Sequence, residues 1–324
     1  MIRPFDWRDL GLLHRVRDRG LCLDSQLAFT RGSNTLQTLL LDVITPGRSA
    51  CTFVARPDVQ EDQEAIGQIL HRSGEPHARL SFIGPVDAIS SPSSSRLLDA
   101  LSHAAGERGA QHLIADVDEQ NTIFEPIRRA GFAIYARQRI WRLDGKPDLD
   151  PIPESTSWRA ETEADESSIN HLYLNIVPAL VQQVELPPRV NRGDYVHCNE
   201  GELMGYLDIE RGSLGVWVDP YFHPAVENLD ELLTSFLANF NDHQKRPLYI
   251  PVRSYQGWIG HALERIGFEP CSDQAVMVKR LAVPIRKPAI ASLPAVEGTH
   301  PEPTTPFAHV PQSQINHSST LNHE

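Results

Sequence analysis

The run His112-Leu113-Ile114-Ala115-Asp116-Val117, the helical stretch Thr122 to Ala130 and the ending Arg129-Ala130-Gly131-Phe132 carry the reading of this chain. A nearly unbroken apolar run of this length reads as a buried-type strand. Gly131 reads as a left-handed helix stop, after which Phe132 enters the core and a strand to Leu143 begins. The same ending returns as Arg265-Ile266-Gly267-Phe268, ahead of a strand running to Leu281.

Working outward from each ending gives one order of elements twice. In the first segment, Asp9 to Arg19 is a short amphipathic helix, and Cys51 to Arg56, Ala65 to His71 and Ala78 to Pro85 are strands. Ser95 to Gly109 is a helix with Leu97, Leu98, Leu101 and Ala105 on one face. In the second, Glu163 to Leu180 is helical, and Tyr195 to Asn199, Leu203 to Glu210 and Leu214 to Val218 are strands. A helix Leu229 to Asn241, a strand Leu248 to Val252 and a helix Trp258 to Ile266 follow. Internal duplication is the simplest reading. The expected domains are residues 1–143 and 157–283, joined by a linker over 144–156 that begins Asp144-Gly145-Lys146-Pro147. Prolines recur from Pro284 onward, so residues 284–324 are expected to form a disordered Pro-rich tail.

Composition excludes several classes. Lys+Arg 30 against Asp+Glu 42 gives a net charge of −12, which disfavours general binding to nucleic acid or anionic lipid. Cys22, Cys51, Cys198 and Cys271 are scattered, without C-x-x-C spacing, and the histidines form no H-x₃-H or H-E-x-x-H set, so no metal site is expected. The N-terminus lacks an apolar leader and no run could span a bilayer, so the expected location is cytoplasmic. No G-x-S-x-G elbow or Walker loop occurs.

The order of elements and the paired Gly-Phe endings resemble the GNAT superfamily of acyl-CoA-dependent N-acyltransferases, in tandem over nearly all of residues 2 to 281. Leu113 to Asn121 looks like the family's fifth strand and its closing Asn; Ile2-Arg3-Pro4-Phe5 and Trp158-Arg159-Ala160-Glu161 look like its first. Val218-Asp219-Pro220 is similar to the end of its fourth. The resemblance implies an α/β (α+β) fold of two domains, each a mostly antiparallel mixed sheet flanked by helices. It implies acetyl-CoA as cosubstrate and a small-molecule or peptide amine as acceptor. The phosphate loop then aligns with Ile89-Ser90-Ser91-Pro92-Ser93-Ser94, where Pro92 has no N–H to donate. Ser90, Ser91, Ser93, Ser94 and Ser95 can substitute through hydroxyls and N–H groups, with a Ser-rich helix cap as the other reading. Ile83 and Asn121 complete the implied cofactor set. The second copy has Pro224-Ala225-Val226-Glu227-Asn228-Leu229 there, which sets a carboxylate against a pyrophosphate.

The positions of the family's acid tyrosine are Ile127 and Leu263. Tyr135 is the substitute candidate, with strand packing as its alternative. Asp116 and Asp118 alternate onto one strand face as a candidate base and amine anchor, or as solvated strand ends; Asp208 and Glu210 raise the same question. Trp217 and Trp258 read as core anchors or as the lining of an acceptor groove. Two functions follow: an N-acyltransferase with the N-terminal copy active, or a non-catalytic tandem scaffold.

Overall fold

The computed structural model describes residues 1–32, 48–56, 63–145, 158–190, 193–240, 242 and 245–282. Most of the expected linker and the expected Pro-rich tail lie outside the described residues.

The first half contains β1 (Ile2–Pro4), α1 (Leu10–Val16), β2 (Leu21–Cys22), α2 (Ser25–Arg31), β3 (Arg48–Ala55), β4 (Ala65–Arg72), β5 (His77–Gly84), α3 (Pro92–Glu107), β6 (His112–Val117), α4 (Phe124–Arg129) and β7 (Ala133–Leu143). The second contains β8 (Trp158–Ala160), α5 (Glu166–Ile176), α6 (Ala179–Gln182), β9 (Tyr195–Asn199), β10 (Glu202–Arg211), β11 (Val216–Phe222), α7 (Leu229–Asn239), β12 (Leu248–Arg253), α8 (Trp258–Arg265) and β13 (Glu269–Arg280). The expected helix Glu163 to Leu180 is broken: Val177 is extended because Pro178 follows it, and α6 starts afresh. Gly131 and Gly267 hold φ of 93° and 95°, the left-handed stops read from the paired endings.

Each half opens with the same device. Arg3 makes a fork of hydrogen bonds to Asp9 at 2.7 and 2.6 Å, and Arg159 does so to Asp165 at 2.7 and 2.7 Å. Both carboxylates also accept a backbone N–H, of Asp6 and Thr162, so each ties the first strand to the first helical turn.

One 13-stranded sheet runs through both halves in the order β1-β3-β4-β5-β6-β13-β7-β12-β11-β10-β9-β8, with β2 attached to β5. The closing strands are exchanged. β13 lies between β6 and β7, with Val276 opposite Asp116 and Ala136, while β7 lies between β13 and β12, with Trp141 opposite Ile250. The exchange leaves neither half with a bare inner edge.

Two cores occupy one face: Leu97, Leu98 and Leu101 of α3 over β4–β6, and Leu233, Phe236, Ile259 and Leu263 of α7 and α8 over β10–β12. On the other face the helices cross over. Val181 of α6, with Val177 and Val184 on either side of that helix, packs on Ile114 and Tyr135 of the first half. In return, Phe29 of α2 lies 4.6 Å from Tyr249 and 6.2 Å from Trp217, ring centre to ring centre. Among the described residues no helix is long and apolar enough to cross a membrane.

Candidate functional site

Each half has one parallel strand pair that separates, but the two gaps differ. In the first, β5 and β6 pair from His77–His112 to Arg79–Ile114 and then diverge. The chain's own segment fills the gap. Leu21 and Cys22 pair with Ile83 and Phe82, Leu23 N–H donates to Ser81 O at 3.0 Å, and Asp116 N–H donates to Leu23 O at 2.8 Å. Leu23 is fully buried there. Asp24 then caps α2 by accepting Leu27 N–H at 3.2 Å.

In the second, β11 and β12 pair only at Val216–Leu248 and Trp217–Tyr249, although the strands run on to Phe222 and Arg253. Side chains alternate, so Val218, Phe222, Ile250 and Val252 enter the core under α7 and α8. Asp219, Tyr221, Pro251 and Arg253 instead line a cavity of about 190 Å³ on the opposite face, together with Trp217, Tyr255 and Gln256. A second cavity, of about 250 Å³, is lined by Asp24, Glu75, Arg79, Asp208, Glu210 and Asp219, among others. Asp219 and Arg79 belong to both, and therefore stand where the two meet.

The electrostatics single out one carboxylate pair. Arg79 faces Asp116 at 3.3 Å and Asp24 at 3.7 Å, Arg31 pairs with Glu210 at 2.8 Å, Arg72 with Glu75 at 3.1 Å, and Arg253 with Glu185 at 2.7 Å. Asp208 and Asp219 are direct cross-strand partners, and among the described residues Asp219 accepts only from a neutral donor, the Trp217 indole N–H, at 3.1 Å. Burial pushes the Asp219 carboxyl up to about 6, with the Arg253 guanidinium opposing. Burial and then the neighbouring Asp219 push Asp208 up to about 8. Asp219 therefore ionises before Asp208, and both do so near neutral pH.

The residues singled out in the sequence are dispersed. Asp116 is buried, accepts Ser25 N–H at 3.0 Å and faces Arg79. Asp118 is exposed past the strand end and accepts Gln120 N–H at 2.8 Å, so it does not join Asp116. The Tyr135 hydroxyl donates to Glu185 of the second half. Ile83 pairs through its backbone with Leu21. Ser91 caps α3 by accepting Ser94 N–H at 3.3 Å, and Ser94 Oγ donates back to Ala88 O at 2.8 Å. Ser93 is buried, while Ser90 and Ser95 are exposed. Asn121 Oδ1 accepts Ile123 N–H at 3.1 Å, which turns the chain into α4. Trp217 is buried in a core cluster with Ile140 and Tyr249 and also borders the cavity, whereas Trp258 packs against the second core. Asp219, Arg253 and Tyr255 drew no role from their sequence context; their signal is the raised carboxylate, legible only once β10 and β11 are paired. Among the described residues no group of three or more His, Cys, Asp or Glu is placed to hold a metal ion.

Comparison with solved structures defines the fold. A GCN5-related N-acetyltransferase from Sphaerobacter thermophilus matches with a TM-score of 0.55 and 12% identity, over 86% of this chain and 95% of its own. A tandem GNAT protein from the clavulanic acid biosynthesis pathway matches with a TM-score of 0.52 and 14% identity, over 86% and 98%. No protein-family model and no curated protein sequence matches. The chain has the GNAT fold, a large mixed sheet flanked by helices, over most of its length.

Proposed function

We propose that this protein is an N-acyltransferase that takes an acyl group from acetyl-CoA or a related thioester and passes it to an amine, with the chemistry in the second half. The observation that carries this reading is the place of Asp219, at the junction of the separated β11–β12 pair and the acidic cavity. The thioester end of the donor would enter between β11 and β12, and the amine would arrive through the acidic cavity as an ammonium. Asp219 takes the ammonium proton, and the freed amine attacks the thioester carbon held beside it. The C–N bond forms as the C–S bond breaks. Tyr255, whose hydroxyl is kept protonated mainly by burial and lines the same cavity, supplies the proton to the departing thiolate and regains one from the nitrogen as it becomes the amide. The first half, its gap filled by Leu21 to Leu23, supplies Arg79 and the closed wall of the cleft.

One observation favours a non-catalytic scaffold instead. The start of α7, where backbone N–H groups would meet the CoA pyrophosphate, carries Glu227, Asp230 and Glu231. Among the described residues only Asp230 of these is paired with a cation, Arg265 at 3.0 Å. Hydrogen exchange of the full chain with and without acetyl-CoA decides between the readings. Protection of residues 216–222 and 248–256 supports the acyltransferase. Unchanged exchange at millimolar acetyl-CoA supports the scaffold, and protection confined to 77–84 and 112–117 moves the site to the first half.

A further inference from the structure

Two residues lining the cavity between β11 and β12 carry buried hydrogen-bond donors that, among the described residues, have no acceptor: Arg253 Nη1 and Gln256 Nε2. Gln256 is only 4% exposed. Leaving such a donor unpaired costs about 1–3 kcal/mol, so two beside one cavity favour an acceptor there, a role that water fills at rest and a ligand oxygen can take over. Arg253 is not free to turn elsewhere. Its Nη2 donates to Glu185 at 2.7 Å, and Glu185 also receives the Tyr135 hydroxyl. The Glu185 backbone oxygen takes the Tyr173 hydroxyl at 2.9 Å, which fixes the carboxylate from behind. Pro220 and Pro251 lie in the two strand segments lining the cavity, and neither can donate a backbone N–H to a ligand. Side-chain donors therefore gain weight on this wall.

We infer that Arg253 and Gln256 bind the carbonyl oxygen of the acyl donor and hold the negative charge it gains during transfer. The inference rests on the acyltransferase reading above and adds the groups that polarise the carbonyl. The placement is chemically economical. The ammonium belongs with Asp208 and Asp219 on the acidic side, and the carbonyl belongs with Arg253 and Gln256 in the adjoining cavity that Asp219 also lines. Because Glu185 already balances Arg253, a neutral carbonyl is held by ordinary hydrogen bonds. Charge developing on its oxygen meets a guanidinium already in place, which favours the transition state over the ground state. The oxygen accepts both hydrogen bonds throughout and returns to a carbonyl in the amide product; neither donor gives up its proton.

The test uses the full chain and acetyl-CoA carrying ¹³C at the thioester carbonyl. In the wild type the bound carbonyl resonance should move downfield of the free value. Gln256→Leu and Arg253→Lys should each reduce that displacement, the lysine retaining a charge for Glu185. The calorimetric Kd for CoA, which lacks the carbonyl, should change by less than about threefold in both variants. Transfer to a primary amine should slow by about 100-fold, in kcat rather than KM. Bound acetyl-CoA with an undisplaced carbonyl, or a displacement that survives both substitutions, overturns the inference and leaves the acyltransferase reading standing. Failure of the wild type to bind acetyl-CoA overturns both.

Discussion

The two strand separations hold corresponding places in the two halves and have opposite fates. Between β5 and β6 the peptide groups are satisfied by the chain itself, through Leu23 and its hydrogen bonds to Ser81 and Asp116. Between β11 and β12 the corresponding space is a cavity bordered by a raised carboxylate and by donors unpaired among the described residues. A parallel pair that diverges exposes backbone and side-chain polar groups that need partners, and a fold can supply them from within or leave them for a ligand. In this protein the first half takes the former course, and the proposed function gives the second half the latter. Filling the first gap also brings α2 across to Trp217 and Tyr249, so closing one gap helps build the cleft beside the other.

The comparison is broken most severely at Asp219. Asp219→Asn keeps the shape of the side chain and removes the base, so acyl transfer should fall by about 100-fold or more in a thiol-release assay. In the wild type, kcat/KM should decline as pH drops through about 6, because the carboxylate must be ionised to accept a proton. That limb should vanish in the variant. An unchanged rate would remove Asp219 from the chemistry and with it the reason for placing the site in the second half.

The first gap is tested by stability. Leu23→Ala removes a fully buried side chain from the filled separation and should cost about 2–5 kcal/mol in urea unfolding. A loss below about 0.5 kcal/mol would show that the filling segment is loosely held and the first gap available to ligands.

The smallest effect concerns pH and the carboxylate pair. Burial and Asp219 raise the folded carboxyl of Asp208 to about 8, above its unfolded value near 3.9. The folded state therefore binds the extra proton between those values. This contribution is complete below about pH 4 and is lost as pH rises through 8. Asp208→Asn should flatten the fall in Tm between pH 6 and 8, raising the Tm at pH 8 by a few degrees. Parallel wild-type and variant curves would show that the pair is not coupled.

Much of the architecture is legible in the order of residues alone. Gly131 and Gly267 announce their stops because a left-handed helix end is a local requirement that glycine meets best, and the apolar run Leu113 to Val117 announces its strand. The carboxylates are harder. Asp208 is visible as an acidic residue on a strand, but its character depends on Asp219, which the register of β10 with β11 sets directly opposite. The Ser-rich loop looks open to a phosphate, yet Ser91 and Ser94 turn their oxygens onto their own helix start. Leu21 to Leu23 has too short a pattern to read as a strand, since what makes it one is an unfilled gap some sixty to ninety residues further along the chain.

By itself, the amino-acid sequence determined what local chemistry controls: helix stops, apolar periodicity, the repeated order of elements and an acidic balance. Tertiary structure alone decided that β7 and β13 change places, that one gap is filled and the other faces a cavity, and that Glu185, Arg253 and Asp219 meet Arg79 across it. The physical reason is range. Propensity and capping act over a few residues, whereas strand pairing, burial and the raised carboxylates arise only between groups that folding brings together from distant parts of the chain.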